Sequence, residues 1–438
     1  MKGAAGQPGR GRVANPLGCA PTVSTSARPT SRLVAVRARN YLAFGGNHTV
    51  DLQIRPLTLI FGRNSSGKTA LMRLIRIALR ALVRPLADDN DAGRDPRPGS
   101  RHLPLRIDDI VVAATFRDLV HGRFSKAMSL GLDLEVNGAP TGFDVDLLPA
   151  DAVGDRSWMV RFAGRGQDAG PELQLDLHAT FTQERAVYRG ESQPKFEGLR
   201  PAGTLDSLRR GAGALDAVTS HLGPLRARVP NAITRVAGEP LGYDGAGAPH
   251  MIADDDELAA RVDDWYASNL GGSLKVRPLL DTLFEVTTTA IDGTVVNLAQ
   301  AGEGLHQVLP IVVQQLSHID NGNPHQMLDL VEQPELHLHD AVHAPLGDLF
   351  MATARLGRGA VIVETHSEGL LLRVRRRIAE GTFDPKDVAV YFVDRDANGS
   401  YVRSIPVNQD GEMSEWPEGV FLENYREVLA IQRAIRSR

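Results

Sequence analysis

The run from Leu57 to Leu74, LTLIFGRNSSGKTALMRL, constrains this chain more than any other stretch. A short apolar segment, Leu57 to Phe61, reaches Gly62 and passes through GRNSSGKT, Gly62 to Thr69, into an apolar-periodic helix expected to run to about Val83, before Pro85. Strand, glycine-rich turn and helix in that order make a phosphate-binding loop, whereas the same letters in an ordinary surface loop lack the flanking strand and helix. The expected cradle is Gly62, Arg63, Asn64, Ser65, Ser66, Gly67, Lys68, Thr69 and Ala70. Its backbone N–H groups and the positive helix terminus surround a triphosphate, Lys68 reaches the β- and γ-phosphates, and the Thr69 hydroxyl ligates Mg²⁺. Glycine at 62 and 67 lets the backbone turn sharply against the oxygens.

At 438 residues the chain accommodates two or three average domains, or one elaborated α/β domain. Its net charge of −4 gives no whole-molecule case for a nucleic-acid binder, so any such surface must be a local patch. The one cysteine, Cys19, excludes an intramolecular disulfide and a cysteine-based zinc site, which fits a reducing cytosol. No apolar run approaches the roughly 20 residues that span a bilayer, so no membrane segment is expected and a cytoplasmic location is the default.

Residues 1–32, rich in Gly, Pro, Ala, Ser and Thr and without an apolar core region, read as a disordered tail and not as a secretory signal. From about residue 33 to 438 the chain reads as one α/β head. LVAVRARNYLAF and HTVDLQI predict two strands feeding the Leu57 strand, and 85–101 predicts a flexible loop. Short alternating runs such as DIVVAATF, MSLGLDLEV, WMVRF and LQLDLHATF make 107–200 a mainly antiparallel β lobe. Leu205 to Leu222 and Asp254 to Asn269 read as helices of an insertion spanning 204–285, with LGPLRARVP as a loop. From 286, β-rich text gives way to a helix from Glu303, the strand MLDLVEQPE, a helix, the strand AVIVETHS and the basic helix LLLRVRRRIAEG, an alternation that implies a parallel sheet with crossover helices.

Two strand tips carry chemistry. Met327 to Val331 ends on Glu332, followed by Gln333, Pro334 and Glu335; a carboxylate there is expected to hold Mg²⁺ or its water shell beside the loop threonine. Ala360 to Val363 ends in Glu364-Thr365-His366-Ser367, setting an imidazole within reach of the γ-phosphate. Arg73, Arg76, Arg80 and Arg84, at offsets 0, 3, 7 and 11, share one helix face. That stripe is either a track for a phosphate backbone or a solvated face, and Arg373, Arg375, Arg376 and Arg377 form a second basic candidate.

GRNSSGKT, AGEGLHQVLP at 301–310, VEQPELHLHD at 331–340 and VETHSEGLLLRVRRRIAEG from Val363 resemble, in order, the motifs of ABC-type ATPase heads of the RecF/SMC/OLD class. In particular the chain resembles bacterial stand-alone AAA-family ATPases that carry an EQPELHLHP segment and end near a WP-G-F motif, here Trp416 to Phe421. The resemblance implies a P-loop head with a mixed central sheet, ATP and Mg²⁺ as cofactors, and Lys68, Glu332 and His366 as catalytic residues. Thr69 and Glu332 match the metal ligands, and Gly302 and Gly304 the signature segment, whose helix terminus faces the γ-phosphate held by a second protomer. ATP sandwiched in a homodimer is then the switch, with DNA or a separately encoded nuclease or effector as partner, in repair or anti-phage defence.

Departures qualify that picture. ABC heads place a glutamate where this chain has Gln333, and an amide positions water without accepting its proton. Either hydrolysis is slow and ATP acts mainly as a switch, or Glu335 supplies the base. Ala301 and His306 stand where signature hydroxyls are usual, Asp340 replaces a proline, and no Q-loop glutamine can be assigned. His337, His339 and His343 have a spacing open to a metal site but fall within the stretch explained as a D-loop. Asp394 and Asp396 imitate a nuclease metal pair, yet YFVDRDANGSYVRSI reads as a hairpin turning at 397–399. The rival readings are a nucleotide-gated binding module with negligible turnover and a transporter ATPase, the latter without a spanning segment here.

Overall fold

The computed structural model describes residues 30–83, 103–108, 110–123, 126–149, 157–174, 196–197, 199–290, 292–319, 326–356, 359–414 and 433. Most of the expected tail, the 85–101 loop up to residue 102, Arg84 and the Trp416–Phe421 segment lie outside them.

The first two strands, β1 (Ser31–Tyr41) and β2 (Phe44–Gln53), precede the loop strand β3 (Leu57–Gly62) and helix α1 (Lys68–Val83). Next come β4 (Met128–Val136), β5 (Ala139–Pro149), β6 (Ser157–Arg165) and β7 (Leu173–Gln174). These six non-loop strands form one antiparallel sheet in the order β2-β1-β4-β5-β6-β7. Thus β1 and β2, which lead into β3 in the chain as expected, belong to the sheet of the lobe. The period-two pattern explains it: Met128, Leu130, Leu132 and Leu134 of β4 and Phe143, Val145 and Leu147 of β5 are buried on one face. On the other face, cross-strand ion pairs join Arg37 and Arg165 to Asp133 and Asp144.

Helix α2 (Asp206–Val218) runs straight into a strand, β8 (Thr219–Leu222). The single helix expected to Leu222 therefore stops four residues early. Thr219 and Ser220 are weak helix formers, and the four residues find a better place as an edge strand parallel to the Glu332 strand. The second expected insertion helix forms as α4 (Asp256–Leu270), preceded by a short helix α3 (Ala248–Asp254), with Asp255 capping α4 by accepting from Leu258 N. A hairpin of β9 (Ser273–Leu280) and β10 (Leu283–Thr289), extended by β11 (Val295–Asn297), completes this part.

The remaining elements alternate as expected: α5 (Glu303–Ser317), β12 (Met327–Glu332), α6 (Asp340–Ala354), β13 (Gly359–Glu364) and α7 (Glu368–Ala379). The hairpin of β14 (Val388–Asp396) and β15 (Gly399–Ser404) follows, with Asp396 opposite Gly399. The central sheet has the order β8-β12-β13-β3-β14-β15, parallel except for β15. Strands β3 and β12 are buried at every position because helices cover both faces.

Alternate residues feed two cores. Ile60, Leu328, Leu330 and Ile362 join the lobe, α1 and α2; Leu59, Phe61, Val331 and Val363 join α5, α6, α7 and the insertion. Helix α1 is consequently wedged between the two sheets, with Leu71, Leu74, Ile75, Ala78 and Leu79 buried. Each of the buried leucines and isoleucines contributes about 2 kcal/mol. Among the described residues no helix is long and apolar enough to cross a membrane.

Candidate functional site

The turn after β3 is held by close packing. A Cβ on Gly62 would stand 2.4 Å from Val393 O, and Gly67 takes φ +104°, so both positions require glycine. Ser65 also adopts positive φ. The loop thereby delivers Lys68 and Thr69 to the first turn of α1, where backbone N–H groups have no intrahelical acceptor. Lys68 Nζ lies 3.1 Å from Gly62 O and 3.0 Å from Arg63 O, and 3.9 Å from Glu364 Oε1. Burial pulls the Lys68 pKa down, and the charges of Glu364 and Glu335 oppose this.

An open cavity of about 530 Å³ is lined by Asn64, Ser65, Gly67, Lys68, Thr69, Gln333, Glu364 and His366. Residues far apart in the chain thus meet over the loop. Among the described residues, His366 Nε2 has no hydrogen-bond partner, and neither has Ser66 Oγ. Burial, then the Lys68 charge, lowers the His366 pKa to about 4, so its ring is neutral at pH 7. Gln333 sits at φ +44°, an unfavourable conformation for a side-chain-bearing residue. It is tethered by Gln333 N donating to Glu364 O at 2.7 Å.

The two strand tips place their carboxylates differently. Glu332, expected near Thr69, has partners from the insertion: His221 Nε2 of β8 lies 2.8 Å from Glu332 Oε1, and Tyr243 OH donates to the same oxygen at 3.3 Å. The carboxylate that meets Thr69 is Glu364, whose Oε2 accepts from Thr69 Oγ1 at 3.0 Å. Strand order is the reason. β13 lies between β12 and β3, pairing Glu364 with Glu332 on one side and with Ile60 on the other. At about 4.8 Å per strand, Glu364 is one step from the loop strand and Glu332 two. Burial first, then the Glu332 charge, push the Glu364 pKa up to about 7 against the pull of Lys68.

Glu335, the alternative base, has both oxygens engaged: Thr365 Oγ1 donates to one at 2.7 Å and His366 N to the other at 2.6 Å. It anchors the segment that carries His366. Gly302 and Gly304 start α5, where a Cβ on Gly304 would stand 2.9 Å from His337 O; neither lines the cavity of this copy. Ala70 O accepts from Tyr41 OH at 3.2 Å, and Arg63 is exposed.

Three residues of the insertion escaped sequence reasoning: His221, Tyr243 and Arg226. The buried Arg226 donates to Glu332 O at 2.6 Å and reaches Gln333 O at 3.4 Å. Burial lowers its pKa to about 10, opposed by the Glu335 and Glu332 charges. An arginine inside LGPLRARVP is the only textual trace of this clamp.

Several arginines of the two basic stripes are paired within the chain. Arg76 and Arg80 pair with Asp108 at 2.5 and 2.7 Å, and Arg80 with Asp216 at 2.9 Å. Arg73 Nε is buried. Arg373 and Arg377 bind Asp348, Arg376 binds Glu380, and Arg375 donates to Gly411 O. Among the described residues, ion pairs thus engage Arg76 and Arg80 of the first stripe and Arg373, Arg376 and Arg377 of the second. His339 caps α6 through Ala341 N, and His343 Nδ1 lies 2.9 Å from Ser367 Oγ, so these imidazoles serve separate helix ends. Asp396 lies 2.9 Å from His48 Nε2 in the expected hairpin.

The oxygens at the loop, the Thr69 hydroxyl and the Glu364 carboxylate with Glu332 beside it, suit a hard cation such as Mg²⁺.

A family model described as "Protein of unknown function (DUF3696)" matches residues 383–430. No curated protein matches the chain. Among solved structures, an SMC head domain from Thermotoga maritima is 12% identical, with 86% of this chain and 99% of that one covered at a TM-score of 0.41. The SMC head from Pyrococcus furiosus, described as bound to the C-terminal domain of ScpA, is 12% identical over 92% and 100% at 0.45. An SMC head bound to the C-winged helix domain of ScpA is 13% identical over 86% and 98% at 0.45. The mixed α/β fold stated above rests on this chain's own strand order and registers.

Proposed function

We propose that this chain is an ABC-type ATPase head that binds Mg·ATP on the Gly62–Thr69 loop and hydrolyses it slowly, with nucleotide-driven pairing of two copies as its output. One observation carries the reading: Lys68, Thr69, Gln333, Glu364 and His366, drawn from three strand ends, line a single cavity over a glycine-constrained loop. Lys68 neutralises the β- and γ-phosphates, and Thr69 with a carboxylate from the tips of β12 and β13 holds Mg²⁺, which supplies charge neutralisation on the phosphates. The neutral His366 ring, free at Nε2, donates to or accepts from the γ-phosphate and its attacking water. In the paired state Gly302 and Gly304 at the start of α5 of a second copy close over the same nucleotide. The resemblance of the four ordered motifs supports this dimer, with DNA or a separately encoded nuclease or effector as the responder. Lys68→Ala tests the site: ATP retention falls at least tenfold, and native binding and hydrolysis in that variant end the proposal.

A second reading, a nucleotide-gated module with negligible turnover, is favoured by Gln333 in the place of a base and by the full engagement of Glu335. Single-turnover assays separate the two. The enzyme reading expects Glu335→Gln to slow hydrolysis by about 10² or more, through loss of a base or of the His366 anchor. The module reading expects almost no hydrolysis in the starting protein.

A further inference from the structure

We infer that Glu364, at the tip of β13, is the carboxylate that takes the nucleotide's divalent cation together with Thr69, while Glu332 acts one layer back as part of a His221–Tyr243 clamp. The inference rests on the nucleotide reading above and assigns the metal within it.

Three observations converge. Glu364 is 1% exposed, yet its carboxylate lines the cavity, accepts from Thr69 Oγ1 at 3.0 Å and lies 3.9 Å from Lys68 Nζ. It is therefore already on the side of the loop where the metal-binding hydroxyl projects. Glu332 does not line the cavity, and its Oε1 is shared by His221 Nε2 and Tyr243 OH. Both of those partners come from the insertion, on the far side of β12 from the loop. The register puts the two glutamates side by side, so nothing but strand order and the clamp chooses between them.

The choice has a chemical consequence. A buried carboxylate facing the loop repels the phosphates of a metal-free nucleotide and attracts them through a bridging cation. Glu364 therefore makes nucleotide binding more metal-dependent than Lys68 and the loop N–H groups alone would. Because Glu364 has the Thr69 hydroxyl as its partner, removal of its charge acts on the metal and leaves the loop's glycine-set shape intact. Glu332, by contrast, has its Oε1 held by His221 and Tyr243.

The test is calorimetric titration of the full-length chain with ATP, with EDTA or with Mg²⁺, and electron paramagnetic resonance of Mn²⁺ in the nucleotide complex. In Glu364→Gln, binding without metal is equal to or tighter than in the unmodified protein. The tightening by Mg²⁺ falls by about 10- to 100-fold, the range seen when groups around a bound metal are removed. Glu364→Asp keeps a charge and recovers part of the tightening, which separates a metal role from a folding defect. Glu332→Gln loses clearly less of the Mg²⁺ tightening than Glu364→Gln does. The assignment is overturned if Glu364→Gln keeps full Mg²⁺ tightening and the native Mn²⁺ signal, or if Glu332→Gln loses as much. A starting protein that binds ATP in neither condition overturns the nucleotide reading itself, a result distinct from either of these.

Discussion

Replacing Glu364 by Gln in the nucleotide-free protein stabilises the fold at pH 8 and leaves it nearly unchanged near pH 4. The carboxyl is almost completely buried beside the Glu332 charge, and its pKa stands at about 7 against 4.5 for an ordinary glutamate. The folded state thus keeps the Glu364 proton to a higher pH than the unfolded state does. Stability from this group is complete below the unfolded value and is lost as pH rises through 7. The gap is worth about 3 kcal/mol, to order of magnitude, and most of it develops between pH 5 and pH 8. The Lys68 ammonium already offsets part of the burial cost within that figure. Gln copies the shape of the protonated side chain and does not titrate. Urea unfolding of both proteins at pH 5 and pH 8, in EDTA and without nucleotide, is the assay. A separation between the two curves that is the same at both pH values, or a Gln variant that is the weaker at pH 8, refutes the reasoning.

The other predictions concern the parts that hold the site. Gly62→Ala sets a methyl 2.4 Å from Val393 O and 2.9 Å from Ser66 Oγ, so it costs about 2 kcal/mol or more in urea unfolding and abolishes ATP retention on a filter. Arg226→Met removes the donor to Glu332 O and lowers stability by about 2–4 kcal/mol in the same assay, because buried carbonyls lose their charged partner. His366→Asn changes the acid limb: with its pKa held near 4, the native ring resists protonation that the unfolded chain accepts, so the parent loses stability as pH falls from about 6.5 towards 4. The variant's urea midpoint lacks that component of the decline.

Local text was sufficient for some of this architecture. The loop, the helix that follows it and the alternation of apolar strands with helices after residue 303 are written in contiguous residues, and the elements form where the pattern puts them. The hairpin at 397–399 is likewise a local turn signal. The failures share one feature, dependence on a partner distant in sequence. Residues 219–222 leave their helix for a strand because β12 offers an edge. Arg76 and Arg80 look like a free basic face until Asp108 and Asp216 arrive from elsewhere. Glu332 and Glu364 each close an apolar strand, so their local text does not distinguish which of them faces the loop.

The sequence by itself determined that a triphosphate-sized loop exists and which helix carries Lys68 and Thr69, since the spacing of Gly62, Gly67 and their neighbours sets the backbone path locally. Only the tertiary structure decided which acid meets that loop. Strand order in a parallel sheet is not encoded by adjacent residues, and the insertion of β13 between β12 and β3 brings Glu364 within hydrogen-bond distance of Thr69 while leaving Glu332 to His221 and Tyr243.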